Sequence, residues 1–263
     1  MTRRPTRLDK KFDLLREKTE RGALKAASSN RALNKLASNK LAVLGLAFVT
    51  IMILSSVFAP LVTQYDPQKV DLRMMLKPPS ADHILGTDKI GRDVFARIIY
   101  GGRISILVGL GSALGAALIG VSIGAYTAYK GGWLDSTFLR ISEVVMSFPQ
   151  IILVLMLVTI LGQSLMNLII IFTLTGWGSL YRLTRAQMLS LREEEYVQAL
   201  RAFGLNTFTI CFKHILPNAL GPIMVNITLS TAMFILQEAG LSFLGLGVPL
   251  NIPTWGNILN VAQ

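Results

Sequence analysis

Few residues in this chain are able to do covalent or redox chemistry. One cysteine, Cys211, and two histidines, His83 and His214, accompany its carboxylates. Neither an internal disulfide nor a Cys/His metal set can be assembled from them. No G-x-x-x-x-G-K-[ST] phosphate loop occurs, so the chain lacks that means of handling ATP itself. Gly109, Gly111 and Gly115 imitate a dinucleotide loop, but they lie inside an apolar run with no strand before them. The residues whose spacing does carry a pattern run from Glu193 to Pro217. Tyr196, Val197, Ala199, Leu200 and Phe203 form an apolar stripe at helical spacing, with Glu193, Glu194 and Glu195 in the first turn, where they complement the helix dipole. Gly204 is placed to end that helix as a left-handed residue. Asn206 is placed to cap a second short helix carrying Phe208, Ile210, Cys211, Phe212 and Ile215, closed by Leu216-Pro217. Two such helices bury too little to be a domain. They pack under the chain's own helices or they bind a partner, and the pattern alone leaves both open.

The elements that must hold this loop are membrane spans. Of 263 residues, 52% are apolar and only 16% charged, whereas soluble domains carry about a quarter charged residues. The mean hydropathy is +0.52. A disordered chain, a secreted disulfide scaffold and an ordinary soluble enzyme are all excluded. Five stretches approach the ~20 apolar residues a span needs: 41–62, 104–129, 144–161 (containing Pro149), 165–181 and 219–236. The fourth closes with Trp177 and Tyr181, side chains suited to the lipid–water interface. Pro222 is expected in the first turn of the fifth. The fold class is therefore an all-α integral membrane protein.

Charge sets the orientation. Residues 1–40 hold 12 basic and 4 acidic residues, a net +8 of the chain's +11. A basic tail invites nucleic acid, but an apolar run begins directly after Lys40, which favours anionic lipid and an uncleaved anchor. With the tail inside, 19 of the 26 basic residues fall on the inner side and 7, all between Lys69 and Arg103, on the outer, as the positive-inside rule requires. The outer seven are offset by Asp66, Asp71, Asp82, Asp88 and Asp93. In that outer stretch Ile90, Val94, Phe95, Ile98 and Ile99 predict a short amphipathic helix along the membrane surface, capped by Thr87 or Asp88, with Asp93 four residues before Arg97. It is an anchor for the loop or a docking site for an external partner.

The spans carry no ionisable residue within their cores, Glu143 and Glu238 lying at span ends. This argues against ion-coupled transporters, channels and membrane enzymes, which place such groups at depth. Ala116, Gly120 and Gly124 mark a face for close helix packing.

Together these residues resemble a known family. Glu195-Tyr-Val-Gln198-Ala199-Leu200-Arg-Ala-Phe-Gly204, followed by His214-Ile-Leu216-Pro217, is similar to the EAA motif of ABC importer permeases. Ala199, Gly204, Leu216 and Pro217 match in spacing, while Gln198, Leu200 and His214 depart from the usual Glu, Ala and Ile. His83-Ile-Leu-Gly-Thr-Asp88, Tyr100-Gly-Gly-Arg103, Gly131-Gly-Trp-Leu-Asp135, Ser147-Phe-Pro149, Glu238-Ala-Gly-Leu-Ser-Phe-Leu-Gly-Leu-Gly247 and Pro253-Thr-Trp-Gly256-Asn257 resemble the dipeptide/oligopeptide/nickel branch, in its second or C-type subunit. The resemblance covers roughly residues 36–263 and implies a type I ABC importer transmembrane fold. It implies a non-catalytic permease of the cytoplasmic membrane importing peptides, or alternatively nickel or a metal chelate. Its partners would be a second permease, two cytoplasmic ATPases that bind ATP and magnesium, and an external binding protein. Glu195, Gln198, Ala199, Leu200, Gly204, Leu216 and Pro217 would then couple to an ATPase within a loop spanning 182–218.

The organisation expected is a basic tail (1–40), a first span (41–62), an external segment (63–103) and an incomplete permease domain (104–263). Asn226, Thr228, Ser230 and Gln237 on the fifth span are candidates to line the pathway, or else hydrogen-bond between helices. The segment Glu238–Asn257 is a gate or a contact for the binding protein. Members of the branch have six spans with both ends inside, so a sixth span is expected to be missing after the fifth.

Overall fold

The computed structural model describes residues 34–262, so the basic tail lies largely outside the described residues. The chain divides into two units, one ending at Leu54 and the other beginning at Ser55. Helix α1 (Lys40–Val57) starts where the Asn39 side chain accepts the Ala42 N–H at 3.2 Å, and one further helical turn, Ala59–Val62, follows.

The second unit is built on α2 (Val94–Lys130), 37 residues long and so ~55 Å from end to end. The surface helix expected before the second span is absent. Of its apolar residues Val94, Phe95, Ile98 and Ile99 form the first turns of α2, which runs on without a break, and Ile90 lies in the turn before it. Asp93, not Thr87 or Asp88, is the N-cap, accepting the Ala96 N–H at 2.6 Å. Its other oxygen meets His83 Nδ1 at 2.8 Å, so Asp93 is not paired with Arg97. Gly101 and Gly102 do not break the helix because each is packed. A Cβ on Gly101 would stand 3.3 Å from the Thr254 carbonyl carbon, and one on Gly102 would stand 2.2 Å from Ser56 Oγ. Beside this N-terminus, burial of Asp88 favours its neutral form, but the Arg92 N–H and guanidinium and the Ile90 N–H outweigh it and hold the carboxyl below its ordinary range.

The third predicted span is two helices, α3 (Gly132–Ser147) and α4 (Gln150–Leu161), bent by 87°. Pro149 removes an N–H and pushes Phe148 into extended backbone (ψ 138°). Helix α5 (Leu165–Leu191) outruns the predicted 165–181 by ten residues. Ser164 caps it by accepting the Asn167 N–H. Trp177 and Tyr181 are not interfacial: they are 8% and 0% exposed, edge-to-face at 5.7 Å, and packed on α2. What admits them is the small-residue face. A Cβ on Gly120 would sit 2.5 Å from the Trp177 carbonyl oxygen, and one on Gly124 would sit 2.8 Å from that of Tyr181. The two backbones therefore touch, as the spacing of Ala116, Gly120 and Gly124 predicts.

Helix α6 (Glu195–Ala202) and α7 (Leu216–Phe243) follow. Leu216-Pro217 does not end the preceding helix; the chain passes through a helical turn (Thr207–Thr209) and a π segment (Ile210–Ile215) directly into α7. Pro222 consequently lies inside α7 and not in its opening turn. Helix α8 (Trp255–Val261), capped by Thr254, packs on α7. Among the described residues three helices have the length and apolarity to cross a bilayer, or four if the bent α3–α4 pair counts as one. The second half of α5, by contrast, carries Arg182 and Arg185.

Candidate functional site

The loop between α5 and α7 is built by local rules. Glu195 opens α6 with Glu194 at the cap position, leaving Glu193 outside the helix. Gly204 adopts φ +73°. The Gly204 N–H donates to the Arg201 carbonyl (2.9 Å) and the Leu205 N–H to that of Leu200 (3.3 Å), a Schellman closure that needs a left-handed residue. Asn206 Oδ1 accepts the Thr209 N–H at 2.7 Å and starts the next turn. In the π segment the Leu216 N–H reaches back to the Cys211 carbonyl. Pro217 has no N–H to offer. Asn218 Nδ2 donates to the His214 carbonyl at 2.9 Å and to the Tyr196 hydroxyl at 3.3 Å, tying α6 to the base of α7.

This loop has two faces, so both alternatives left by the sequence are realised in part. Inward, Val197, Ile210, Cys211 and Ile215 are buried with Ala125, Ala128 and Met188. Arg201 donates to the Tyr129 hydroxyl at 3.1 Å, and Arg192 donates to the Ala128 carbonyl at 2.9 Å. Just behind, Arg185 and Asp135 form a two-pronged pair at 2.7 and 2.6 Å that binds α5 to α3. Outward, Glu195, Gln198, Ala199, Gly204 and Pro217 are exposed while Leu200 and Leu216 are half-buried. Phe203 is 80% and Phe208 64% exposed, with Phe208 against Phe212 at 4.6 Å. Among the described residues this frame thus presents aromatic side chains with no covering element. Gln198 spends its amide on the Glu193 carbonyl at 3.1 Å. Periodicity placed Phe203 on the apolar stripe with Tyr196, Val197, Ala199 and Leu200; of these only Val197 is buried, and Phe203 faces outward.

A cleft of about 410 Å³ opens among α3, α4, α5 and α7. Asn226, Ser230 and Gln237 line it; Thr228 does not, and its hydroxyl donates to the Met224 carbonyl at 2.9 Å. Gln237 Nε2 donates to Gln150 Oε1 at 3.2 Å across the cleft, while its own Oε1 is buried with no partner among the described residues. Gln150, Thr175 and Ser179 complete the polar lining and were not anticipated. The one available signal was Pro149, whose bend turns the first residue of α4 into the cleft. Every polar group here is neutral, so the cleft offers hydrogen bonds without selecting charge.

Comparison with known proteins agrees with this architecture. Residues 116–263 match the family described as binding-protein-dependent transport system inner membrane component. Residues 29–79 match the N-terminal TM domain of oligopeptide transport permease C. The chain is 41% identical to the oligopeptide transport system permease protein OppC of Bacillus subtilis (strain 168), over 86% of this chain and 74% of that one. It is 42% identical to the dipeptide transport system permease protein DppC of Alkalihalophilus pseudofirmus, over 87% and 75%. The glycine-closed loop, the bent α3–α4 pair and the small-residue seam between α2 and α5 are thus features of a transport subunit, and the chain belongs to the binding-protein-dependent transport system inner membrane components, the ABC importer permeases.

Proposed function

We propose that this chain is the permease subunit of an ATP-driven importer that moves peptides across a cytoplasmic membrane, with its N-terminus inside. The observation that carries the proposal is the two-faced loop from Glu195 to Pro217. Its inner face is fastened to α2, α5 and α7, and its outer face leaves Phe203 and Phe208 uncovered. The outer face is the surface for one of two cytoplasmic ATPases, which bind ATP and magnesium; the chain itself is not catalytic. A second permease completes the pathway, and an external binding protein delivers the solute. Nucleotide drives such a cycle only if ATPase closure favours one permease conformation over the other, and a loop that moves as a unit transmits that preference to α7. The charge bias, 19 basic residues on the loop side against 7 opposite, supports the orientation. Peptide cargo is supported by the names of the relatives and by the neutral amide and hydroxyl lining, which suits peptide backbone whatever its side chains. Nickel has no comparable support, since the relatives are named for oligopeptide and dipeptide transport.

The test is copurification and uptake. Phe203→Ser with Phe208→Ser is expected to leave membrane insertion unchanged and thermal unfolding nearly so, because both side chains are largely exposed and Phe208 gives up only its contact with Phe212, while the ATPase no longer copurifies. Retention of the ATPase at wild-type yield would count against this surface. Absence of labelled-peptide uptake by the wild-type complex would count against the cargo.

A further inference from the structure

The segment Glu238–Asn257, singled out by its motifs and left open as a gate or a contact, is organised around one buried carboxylate. Glu238 is fully buried in α7. Its Oε2 accepts the Ser105 hydroxyl of α2 at 3.0 Å, and its Oε1 accepts the Ser242 hydroxyl at 2.7 Å. Each hydroxyl oxygen in turn accepts a backbone N–H of the returning chain: Ser105 from Trp255 at 3.2 Å, Ser242 from Val248 at 3.3 Å. Each hydroxyl oxygen receives an N–H and keeps its one proton for the carboxyl oxygen beside it, so two amides are linked through two serines to the two oxygens of one group. A glutamine here has only one accepting oxygen, and the serine facing its NH₂ loses the carboxyl acceptor of its relay.

Packing closes the same region. A Cβ on Gly247 would stand 2.1 Å from Ser242 Oγ, and one on Gly256 would stand 2.6 Å from the Ala239 carbonyl oxygen. Asn257 Nδ2 gathers the carbonyls of Val248, Pro249 and Ile252 at 3.1, 3.0 and 2.9 Å. Gln163 of the α4–α5 connection donates to the Gly245 carbonyl at 2.9 Å. A segment that opened by itself would have to break the two serine relays and uncover the carboxylate.

We propose that Glu238 is a positioning residue for transport: it seats the 244–255 segment on α2 and α7 as one body, so that the segment moves with those helices and is not an independently opening gate. Its neighbour Gln237 lines the cleft, which places the seat against the proposed solute path. The transport half of this inference rests on the permease reading above; the structural half does not.

Hydrogen exchange of the Val248 and Trp255 amides, measured on the full complex in nanodiscs, tests both halves. Wild-type protection is expected to be the same without nucleotide and after trapping with ATP and vanadate. Glu238→Gln is expected to speed exchange of at least one of the two amides about 10-fold. The Asn257 amide, held by Thr254 Oγ1, is expected to stay unchanged. Labelled-tripeptide uptake is expected to fall several-fold per ATP hydrolysed. Ser242→Ala is expected to release Val248 only, and Ser105→Ala Trp255 only, an arm-by-arm response that general destabilisation would not give. The inference is overturned if trapping deprotects Val248 and Trp255 in the wild type, or if Glu238→Gln leaves both protected. Exchange behaving as expected in a wild-type complex that takes up no peptide keeps the seat and removes the transport role.

Discussion

Gly204 offers a clean separation of backbone geometry from side-chain packing. Its φ of +73° is left-handed, and a Cβ placed there meets nothing within 4 Å. Any penalty of substitution is therefore paid by the backbone, about 1–2 kcal/mol for an ordinary L-residue and at the upper end for a β-branched one. At roughly tenfold for each 1.4 kcal/mol, Gly204→Val lowers the equilibrium constant for the Schellman closure about 10- to 30-fold. Asparagine tolerates this region, so Gly204→Asn is expected within about threefold of wild type. The assay is uptake of a labelled peptide by reconstituted complex in proteoliposomes, with ATP hydrolysis and membrane insertion measured in parallel. Valine should cut uptake by up to that factor with insertion intact. Equal uptake by the Val and Asn variants would refute the reasoning, because it would mean that the left-handed turn does not set the loop.

Two further outcomes follow from the seams between helices. Gly120→Val drives a side chain into the Trp177 and Tyr181 backbone, 2.5 and 2.8 Å away, and is expected to cost about 1–3 kcal/mol, read as a lower unfolding temperature in detergent. Gly111→Ala, whose Cβ would meet Ile169 at an ordinary 3.7 Å, should leave that temperature unchanged. Arg185→Ala leaves Asp135, 12% exposed at its side chain, without its two-pronged partner. Because Arg185 is itself a quarter exposed, the expected loss is about 1–3 kcal/mol, below that of a fully buried pair. Arg185→Lys should recover only part of it, since an ammonium cannot reproduce the fork. Full recovery by lysine would show that charge alone matters there.

Apolar run length, charge asymmetry and local capping were legible along the chain. The helical class, the end of α6 at Gly204 and the Asn206 cap depend on residues within a few positions of one another, and hydropathy counts residues without needing to know their neighbours. The glycine face on α2 was legible for the same reason, because its four-residue spacing states a packing geometry. Where one helix continues and another breaks was not. The predicted second span begins at residue 104, but α2 runs through Gly101 and Gly102 with Thr254 and Ser56 packed on them. Trp177 and Tyr181 look interfacial until Gly120 and Gly124 bring α2 close enough to bury them. Glu238 looked like a charged residue at a span end. That it accepts two hydroxyls, one from a serine 133 positions away, is a property of three segments meeting. The sequence by itself determined a helical membrane protein with a glycine-turned loop, because burial in lipid and helix capping are read from short stretches. Only the tertiary structure decided which residues line the cleft and which carboxylate seats the segment after α7, since a buried polar group is defined by the partners that satisfy it.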